Sequence, residues 1–304
     1  MTDGDVRRAL LSGHGLDSPA GTAFNTKFLA LDDGGDWAQT TAQGAVRGFS
    51  EYPVVDSDGH LLCVEVLGHS GESLARDNTV VIMAGGKGMR LRPLTEETPK
   101  PLLLVGEKPI LQHIIDNLRD EGFSDIVLAI NYLGEQIESY FQDGSGFGVQ
   151  IRYVKEDREL GTAGALSLLQ EPVSSPIVVM NGDLVLAASV GRMVDYHRDK
   201  QATITIGAKV VETKIPYGVL STRGVVVEGI QEKPTYRDLV NAGVYVLNSE
   251  VFASLSADRI IDMPELILEN VDEGKVVAYP MHETWADLGR PADFARANDL
   301  MGEV

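Results

Sequence analysis

Residues 79–84, TVVIMA, constrain this chain more than any other stretch. Five apolar residues in a row follow Thr79, with no polar alternation. A strand with one wet face would alternate, so this one is read as buried on both faces. Strands of that kind belong to largely parallel sheets with helices on each side. The run then breaks into Gly85-Gly86-Lys87-Gly88. Glycines there remove side chains, so backbone N–H groups can approach an anion. Lys87, Arg90, Arg92 and Lys100 follow closely, against only Glu96 and Glu97. The 304-residue chain carries a net charge of −19, so a local surplus of cations beside a glycine turn calls for a reason. A bound polyphosphate gives one; solvated cations on a surface turn are the plain alternative.

The loop is neither of two familiar phosphate cradles. No Gly-x4-Gly-Lys spacing occurs, and Gly86-x-Gly88 is followed by Leu91 where a dinucleotide fingerprint has its third glycine. Pro93, Pro99 and Pro101 keep a helix from following directly, so an anion would not simply rest on a helix N-terminus. The loop is long and must bring Arg90 and Lys100 back over whatever the glycines hold.

Strands and helices alternate beyond it. Apolar residues at 110, 111, 114, 115 and 118 predict a helix over 109–121, ended by Gly122. Strands are expected at 125–130, 149–154 and 177–180, and helices at 134–141, 163–169 and 189–199. That order predicts an α/β fold with a mostly parallel sheet covered on both faces. After residue 200 shorter strands are expected at 203–211, 218–220, 225–230 and 242–247, a mixed-sheet extension. Two further helices are expected at 264–270 and 291–300.

A hydrophobic content of 43% and a charged content of 23% are ordinary for a globular protein with a full core. No apolar run approaches the ~20 residues of a membrane helix, and the first residues lack the apolar segment of a signal peptide. Cys63 is the only cysteine, so neither a disulfide framework nor a cysteine metal cluster is expected. These features point to a cytoplasmic protein without membrane contact. The acidity argues against nucleic-acid binding, which needs a basic face, but a nucleotide needs only a few local cations. Residues 1–78 carry a net −7 and the remainder −12, so the acidity is spread over both parts.

Asp183 closes the four-residue apolar run 177–180 through Asn181-Gly182. It therefore stands at the C-terminal end of a strand, where open α/β sheets place ligands. A metal ligand and a capped turn are equally good readings of Asn-Gly-Asp. Asp287 lies in Trp285-Ala286-Asp287-Leu288-Gly289-Arg290-Pro291. It is poorly spaced to cap the final helix, because Pro291 at the first helical position would make Arg290 the cap. Gly161, in Leu160-Gly161-Thr162-Ala163-Gly164, allows close backbone approach ahead of a helix whose first N–H groups are expected to be free; a glycine packed on the sheet explains it equally.

The string from Gly85 through Gly88, Arg90, Leu91, Pro93, Leu94, Thr95, Pro99, Lys100 and Pro101 to Leu103 resembles the signature of sugar-phosphate nucleotidyltransferases, the nucleotide-sugar pyrophosphorylases. Further motifs fall in the family's order over about 79–300. The resemblance implies a Rossmann-like domain that joins a sugar or cyclitol 1-phosphate to an NTP with Mg2+ and releases pyrophosphate. It implies Arg90, Lys100 and Asp183 as catalytic residues, and Asp183 with Asp287 as the metal pair. Ala84, Gly85, Gly86, Lys87, Gly88, Met89, Gly161, Thr162, Asn181 and Gly182 would bind nucleotide, with Glu159 close by. Tyr217, Gly218, Glu232, Lys233 and Asn241 would bind the sugar phosphate. Lys87 and Arg92 are equally explained as surface cations. Met89 departs from the Thr or Ser that the family usually has there, a position at which other members also vary. The motifs are most similar to the mannose-1-phosphate guanylyltransferase branch, which makes GTP the expected nucleotide. A regulatory subunit that binds nucleotide-sugar without turnover is the alternative, and a homo-oligomer is compatible with either.

Ahead of this domain, two apolar runs in 52–67 flank Asp56-Ser57-Asp58-Gly59, a hairpin signal. With Thr2 and Asp5 near the start, residues 1–77 resemble a truncated CBS pair preceding the nucleotidyltransferase domain at 78–304. A docking or dimerisation remnant is the favoured role for it.

Overall fold

The computed structural model of the protein describes residues 3–302, apart from 16, 26–27, 34, 36, 38–39, 41–50, 67–74, 170–172, 254, 257–258 and 272–273. Thr2 thus lies outside the described residues. The chain opens with helix Asp3–Leu11 (α1). A three-stranded sheet of Leu31–Asp32 (β1), Glu51–Val55 (β2) and Leu61–Val66 (β3) follows. The expected hairpin is β2–β3, and its own core holds Leu31, Tyr52 and Val54. Asp56 builds the turn by accepting the amides of Asp58 and His60.

The apolar run that opens the second part is Val80–Met83 (β4). A short hairpin, Leu104–Val105 (β5) with Lys108–Pro109 (β6), leads into helix Ile110–Asp120 (α2). Strand Asp125–Ile130 (β7), helix Gly134–Phe141 (α3) and strand Gln150–Lys155 (β8) come next. Helix Gly161–Gly164 (α4) continues as a 3-10 turn over Ala165–Leu168. Strand Ile177–Asn181 (β9) is followed by the short Leu184–Leu186 (β10) and helix Val190–Asp199 (α5). Then come Ile204–Lys214 (β11), Val219–Arg223 (β12), Val226–Gln231 (β13) and Thr235–Leu247 (β14). Helices Ser249–Phe252 (α6) and Met263–Leu268 (α7), strands Val276–Met281 (β15) and Trp285–Asp287 (β16), and helix Pro291–Gly302 (α8) finish the chain.

Seven strands form the main sheet in the order β15-β11-β14-β9-β4-β7-β8. β4 pairs in parallel with β7 on one side and β9 on the other, and β7 with β8. β14 runs antiparallel to both β9 and β11, and β15 is parallel to β11. One reversed strand therefore sits in an otherwise parallel sheet. Successive residues of β4 feed opposite cores: Val80 and Ile82 pack with α2 and α5, and Val81 with α4 and α7. That two-sided burial is what the unbroken apolar run predicted. Among the described residues no helix is long and apolar enough to cross a membrane.

The extension after residue 200 departs from expectation. β11 and β14 are 11 and 13 residues long, not two short strands. Their paired outer parts, Lys209–Val240 to Lys214–Thr235, run past the sheet and are largely exposed, so polar residues there hide the strand period. β12 and β13 form a separate ribbon between them. Strands β10, β15 and β16 escaped the sequence reading; β10 and β16 are three residues each, too short for any periodicity to show.

Candidate functional site

β4 and β9 are neighbours whose chains continue in different directions, and Met83 is in register with Asn181. The glycine loop after β4 and the Asn181-Gly182-Asp183 turn after β9 thus share one crevice at the C-terminal edge. This is the switch point of the sheet, where such folds bind ligands. Gly182 N–H donates to Met83 O at 2.9 Å, which fastens the two loops together.

Among the described residues, the amides of Gly85, Gly86, Lys87 and Gly88 donate to no protein acceptor. Four N–H groups with no internal partner are what an anion cradle requires. Gly88 has φ +59°, and a Cβ on it would meet Thr95 Cγ2 at 2.8 Å and Lys100 Cβ at 3.2 Å. Thr95 is fully buried and its hydroxyl donates to Gly88 O at 2.8 Å. That contact fixes the exit of the loop, a role that no pattern in the sequence marked. Met89 and Arg90 follow as an exposed 3-10 turn, so the Met89 side chain stands at the loop surface.

Lys100 is only 7% exposed, and its ammonium ion-pairs with Asp183 Oδ2. Asp183 Oδ1 is buried and has no hydrogen-bond partner among the described residues. An orphaned carboxylate oxygen is costly unless a cation or donor arrives. Asp287 is brought alongside by the β10–β16 ladder, which sets Leu184 opposite Asp287, and Leu288 N–H donates to Asp183 O at 3.0 Å. Asp287 Oδ1 accepts from Gly289 N–H at 2.8 Å, leaving its second oxygen for another partner. A Cβ at Gly289 would stand 2.7 Å from Arg90 Nη2 and 2.9 Å from Asp287 Oδ1. Gly289 therefore lets the Arg90 guanidinium close over Asp287. Asp183 and Asp287 are the pair that could hold a divalent cation, and the bare Oδ1 fits that use. Asp56, Asp58 and His60 also cluster, but at the exposed hairpin turn that Asp56 caps.

Two further motifs interlock here. Trp285 Nε1–H donates to Ala242 O at 2.9 Å, and Gly243, at φ +74°, lies against Asn181 Nδ2. The β11–β14 register shifts between Ile206 and Ala208, opposite this glycine. Such a bulge redirects side chains, and Asn241 stands at its edge, donating to Tyr245 Oη at 2.8 Å and accepting from Gly243 N–H at 3.0 Å. Tyr217 and Lys233 meet at the base of the β12–β13 ribbon, where Lys233 N–H donates to Tyr217 O at 3.2 Å, and Gly218 lies against the Glu232 carboxylate. All four are exposed.

On the other side of the glycine loop, Lys87 pairs with Glu159 at 2.8 Å, both side chains half-exposed. The free N–H groups expected ahead of α4 are taken. Thr162 N–H donates to Asp262, Ala163 and Gly164 N–H donate to Ile261 O, and the Thr162 hydroxyl accepts from Met263 N–H. The returning 259–262 segment satisfies them, so this helix start is built into the core. Sequence reasoning passed over Glu156, which follows β8 beside Asn131; Asn131 Nδ2–H donates to Glu156 O at 2.9 Å. Burial pushes the Glu156 carboxyl up, against the lowering hydrogen bond from Leu160 N–H. A half-buried carboxylate in a run of charged residues has no sequence signature.

Residues 79–303 match the family profile described as Nucleotidyl transferase. The UTP–glucose-1-phosphate uridylyltransferase of Synechocystis sp. is 34% identical over 71% of this chain and 61% of its own length. The mannose-1-phosphate guanylyltransferase of Mycobacterium tuberculosis is 32% identical over 72% of this chain and 63% of its own. The chain thus spans less than two thirds of the length of these relatives. Among solved structures, HddC from Yersinia pseudotuberculosis superposes with a TM-score of 0.59 at 25% identity, over 74% of this chain and 99% of that one.

Proposed function

This chain belongs to the nucleotidyl transferase family, and from that premise we propose that it joins a sugar or cyclitol 1-phosphate to a nucleoside triphosphate. An oxygen of the sugar phosphate attacks the α-phosphorus in line. The bond to the β-phosphate bridging oxygen breaks, and that oxygen leaves with its electron pair as pyrophosphate. Both reactants are anions, so the protein's work is alignment and charge neutralisation. The observation that carries the reading is the orphaned Asp183 Oδ1, set between Lys100, Asp287 and the four open amides of 85–88.

In this reading the amides of 85–88 hold the triphosphate, and Arg90, exposed and in no ion pair among the described residues, closes on it as a planar two-pronged donor. Lys100 turns from Asp183 to the α-phosphate, and Asp183 with Asp287 would hold Mg2+. That ion, when bound, supplies neutralising charge between the facing phosphates. The nucleoside then extends over the ends of β7 and β8, and the sugar over the ribbon side, toward Asn241, Tyr217, Glu232 and Lys233. Met89 costs the loop one hydroxyl, while the backbone donors remain.

GTP is the proposed nucleotide. Guanine carries an adjacent N1–H and N2–H2 donor pair, which a carboxylate accepts in two parallel bonds, and Glu156 offers one where the base would lie. Residues 1–77 are proposed to form a separate, CBS-like front part, and the enzyme to be cytoplasmic, where NTPs are made. A matrix of four NTPs against hexose, heptose and cyclitol 1-phosphates, read as Mg2+-dependent pyrophosphate release, tests the activity. Turnover with GTP and at least one sugar phosphate, lost in Asp183→Asn and Asp287→Asn proteins that still fold, is expected. Tight nucleotide-sugar binding with no turnover for any pair would favour the regulatory alternative instead.

A further inference from the structure

The N-terminal helix lies outside the matched domain, yet one of its residues is built into the route to the metal pair. Arg7 is 3% exposed. Its guanidinium sits 3.9 Å from the centre of the Tyr279 ring. One nitrogen donates to Pro280 O, and another ion-pairs with Glu283 Oε1 at 2.6 Å. Tyr279 and Pro280 lie near the end of β15, just before Met281, and Glu283 lies in the short link to β16. The same link is gripped from the opposite element by Lys209, whose ammonium donates to His282 O and Glu283 O. Two cations, one from α1 and one from β11, therefore clamp 280–283. Two residues past Glu283 β16 begins, and it must pair with β10 in the register that sets Asp287 opposite Leu184, next to Asp183.

A second contact makes the docking of this front segment more than one side chain. Asp17 ion-pairs with Arg237 of β14, and Gly15 lies directly under that guanidinium. The front segment thus touches both β14 and the link between β15 and β16.

We infer that Arg7 is a positioning residue for Asp287: the front segment, which the family domain does not include, sets the phase of β16 and so the geometry of the metal pair. Arginine suits the task because it can stack on a ring while donating in two directions, which lysine cannot do. The inference rests on the reading of Asp183 and Asp287 as metal ligands. It does not depend on which sugar or nucleotide is used.

The test is Mn2+ binding to the full chain without added nucleotide, followed by the electron paramagnetic resonance signal of free Mn2+. Parent, Arg7→Met, Arg7→Lys and Asp287→Asn proteins are compared, each with its thermal midpoint. Arg7→Met is expected to weaken Mn2+ binding on the order of tenfold, the lower end of what outer partners of metal ligands contribute. Arg7→Lys keeps the ion pair with Glu283 and loses the bond to Pro280 O, so a smaller loss is expected, and this variant serves if Arg7→Met does not fold. Unchanged Mn2+ affinity in both Arg7 variants, with binding lost in Asp287→Asn, overturns the positioning role alone. Unchanged affinity in Asp287→Asn overturns the metal reading and the positioning role together.

Discussion

Removing the Lys100 ammonium should expose how strongly it and Asp183 depend on each other. Lys100→Met keeps most of the aliphatic stem and deletes the charge. Breaking a fully buried ion pair by removing one partner costs about 3–5 kcal/mol, because the remaining charge is left uncompensated. Lys100 is nearly enclosed, with 9% of its side chain exposed, but Asp183 retains 24%, so water screens part of the loss. That places the expected cost near 2 kcal/mol, below the buried range and above the ~0–1 kcal/mol of surface pairs. At roughly 2–4 °C per kcal/mol for a chain somewhat shorter than this one, the midpoint should fall by about 4–8 °C.

Asp183→Asn removes the charge that suffers, so Lys100→Met should cost far less in that background. The assay is urea unfolding of the parent, both single variants and the double variant, in EDTA and then in Mg2+. A coupling energy near 2 kcal/mol is expected in EDTA, well outside the ~0.5 kcal/mol within which independent sites add. Mg2+ should protect Lys100→Met more than the parent, because the ion reaches a carboxylate that no ammonium occupies. Additive single effects, or equal protection by Mg2+, would refute the reasoning. Pyrophosphate release should fall by about 10²–10³, the usual loss for one preorganised charge donor.

Gly88→Ala puts a Cβ at φ +59° and 2.8 Å from Thr95 Cγ2, so unfolding should show about 2 kcal/mol of destabilisation and NTP KM should rise at least tenfold. Glu156→Gln replaces one acceptor oxygen by a donor; the kcat/KM ratio of GTP to UTP should drop about tenfold, about what 1.4 kcal/mol of lost discrimination gives, and the same ratio should fall in the parent as acid protonates a carboxyl whose pKa burial has raised. His197 is buried between the Thr205 hydroxyl and the Asn248 amide, and burial lowers its pKa below 6.5. A depressed folded pKa means its stabilisation is complete above 6.5 and is lost as pH falls through the lower folded value. Urea midpoints measured from pH 7.5 to 5 should therefore decline more steeply in the parent than in His197→Asn.

Legibility in the sequence followed burial. β4, β7 and β9 were readable because both of their faces are apolar, and Asp183 was readable because it ends such a strand. α2 was readable from its spacing, since Ile110, Leu111, Ile114, Ile115 and Leu118 are its buried face. The outer parts of β11 and β14 were not readable, because two exposed strands held by each other's hydrogen bonds need no hydrophobic period. Arg7 was not readable either: an arginine in a polar first helix is by default a surface residue. Only the ring, carbonyl and carboxylate that surround it reverse that expectation, and they lie more than 270 residues away.

Asp287 shows most clearly what the fold adds. Periodicity does not distinguish it from a loop aspartate, since β16 is three residues long and half-buried throughout; only the resemblance of its motif singled it out. The fold brings it to Asp183 because β10 offers an edge just past Asp183 and β16 takes it, antiparallel. Trp285 ties β16 to the main sheet by its bond to Ala242 O, downstream of the clamped 280–283 segment, and Ala242 belongs to the single reversed strand of the sheet. The reversal matters geometrically. β9 ends upward at Asn181, while β14 descends beside it, with Val244 in register with Met180. The stretch of β14 before Gly243 must therefore stand above the C-terminal edge of the sheet, on the same side as Asp183 and the glycine loop. A seventh parallel strand in that place would have sent Asn241 and the ribbon to the far edge. The reversed strand thus builds an upper wall on the β9 side of the switch point, opposite the wall at the ends of β7 and β8. Walls on both sides of the carboxylate pair would suit two ligands laid end to end, the arrangement that the proposed transfer between two phosphates requires.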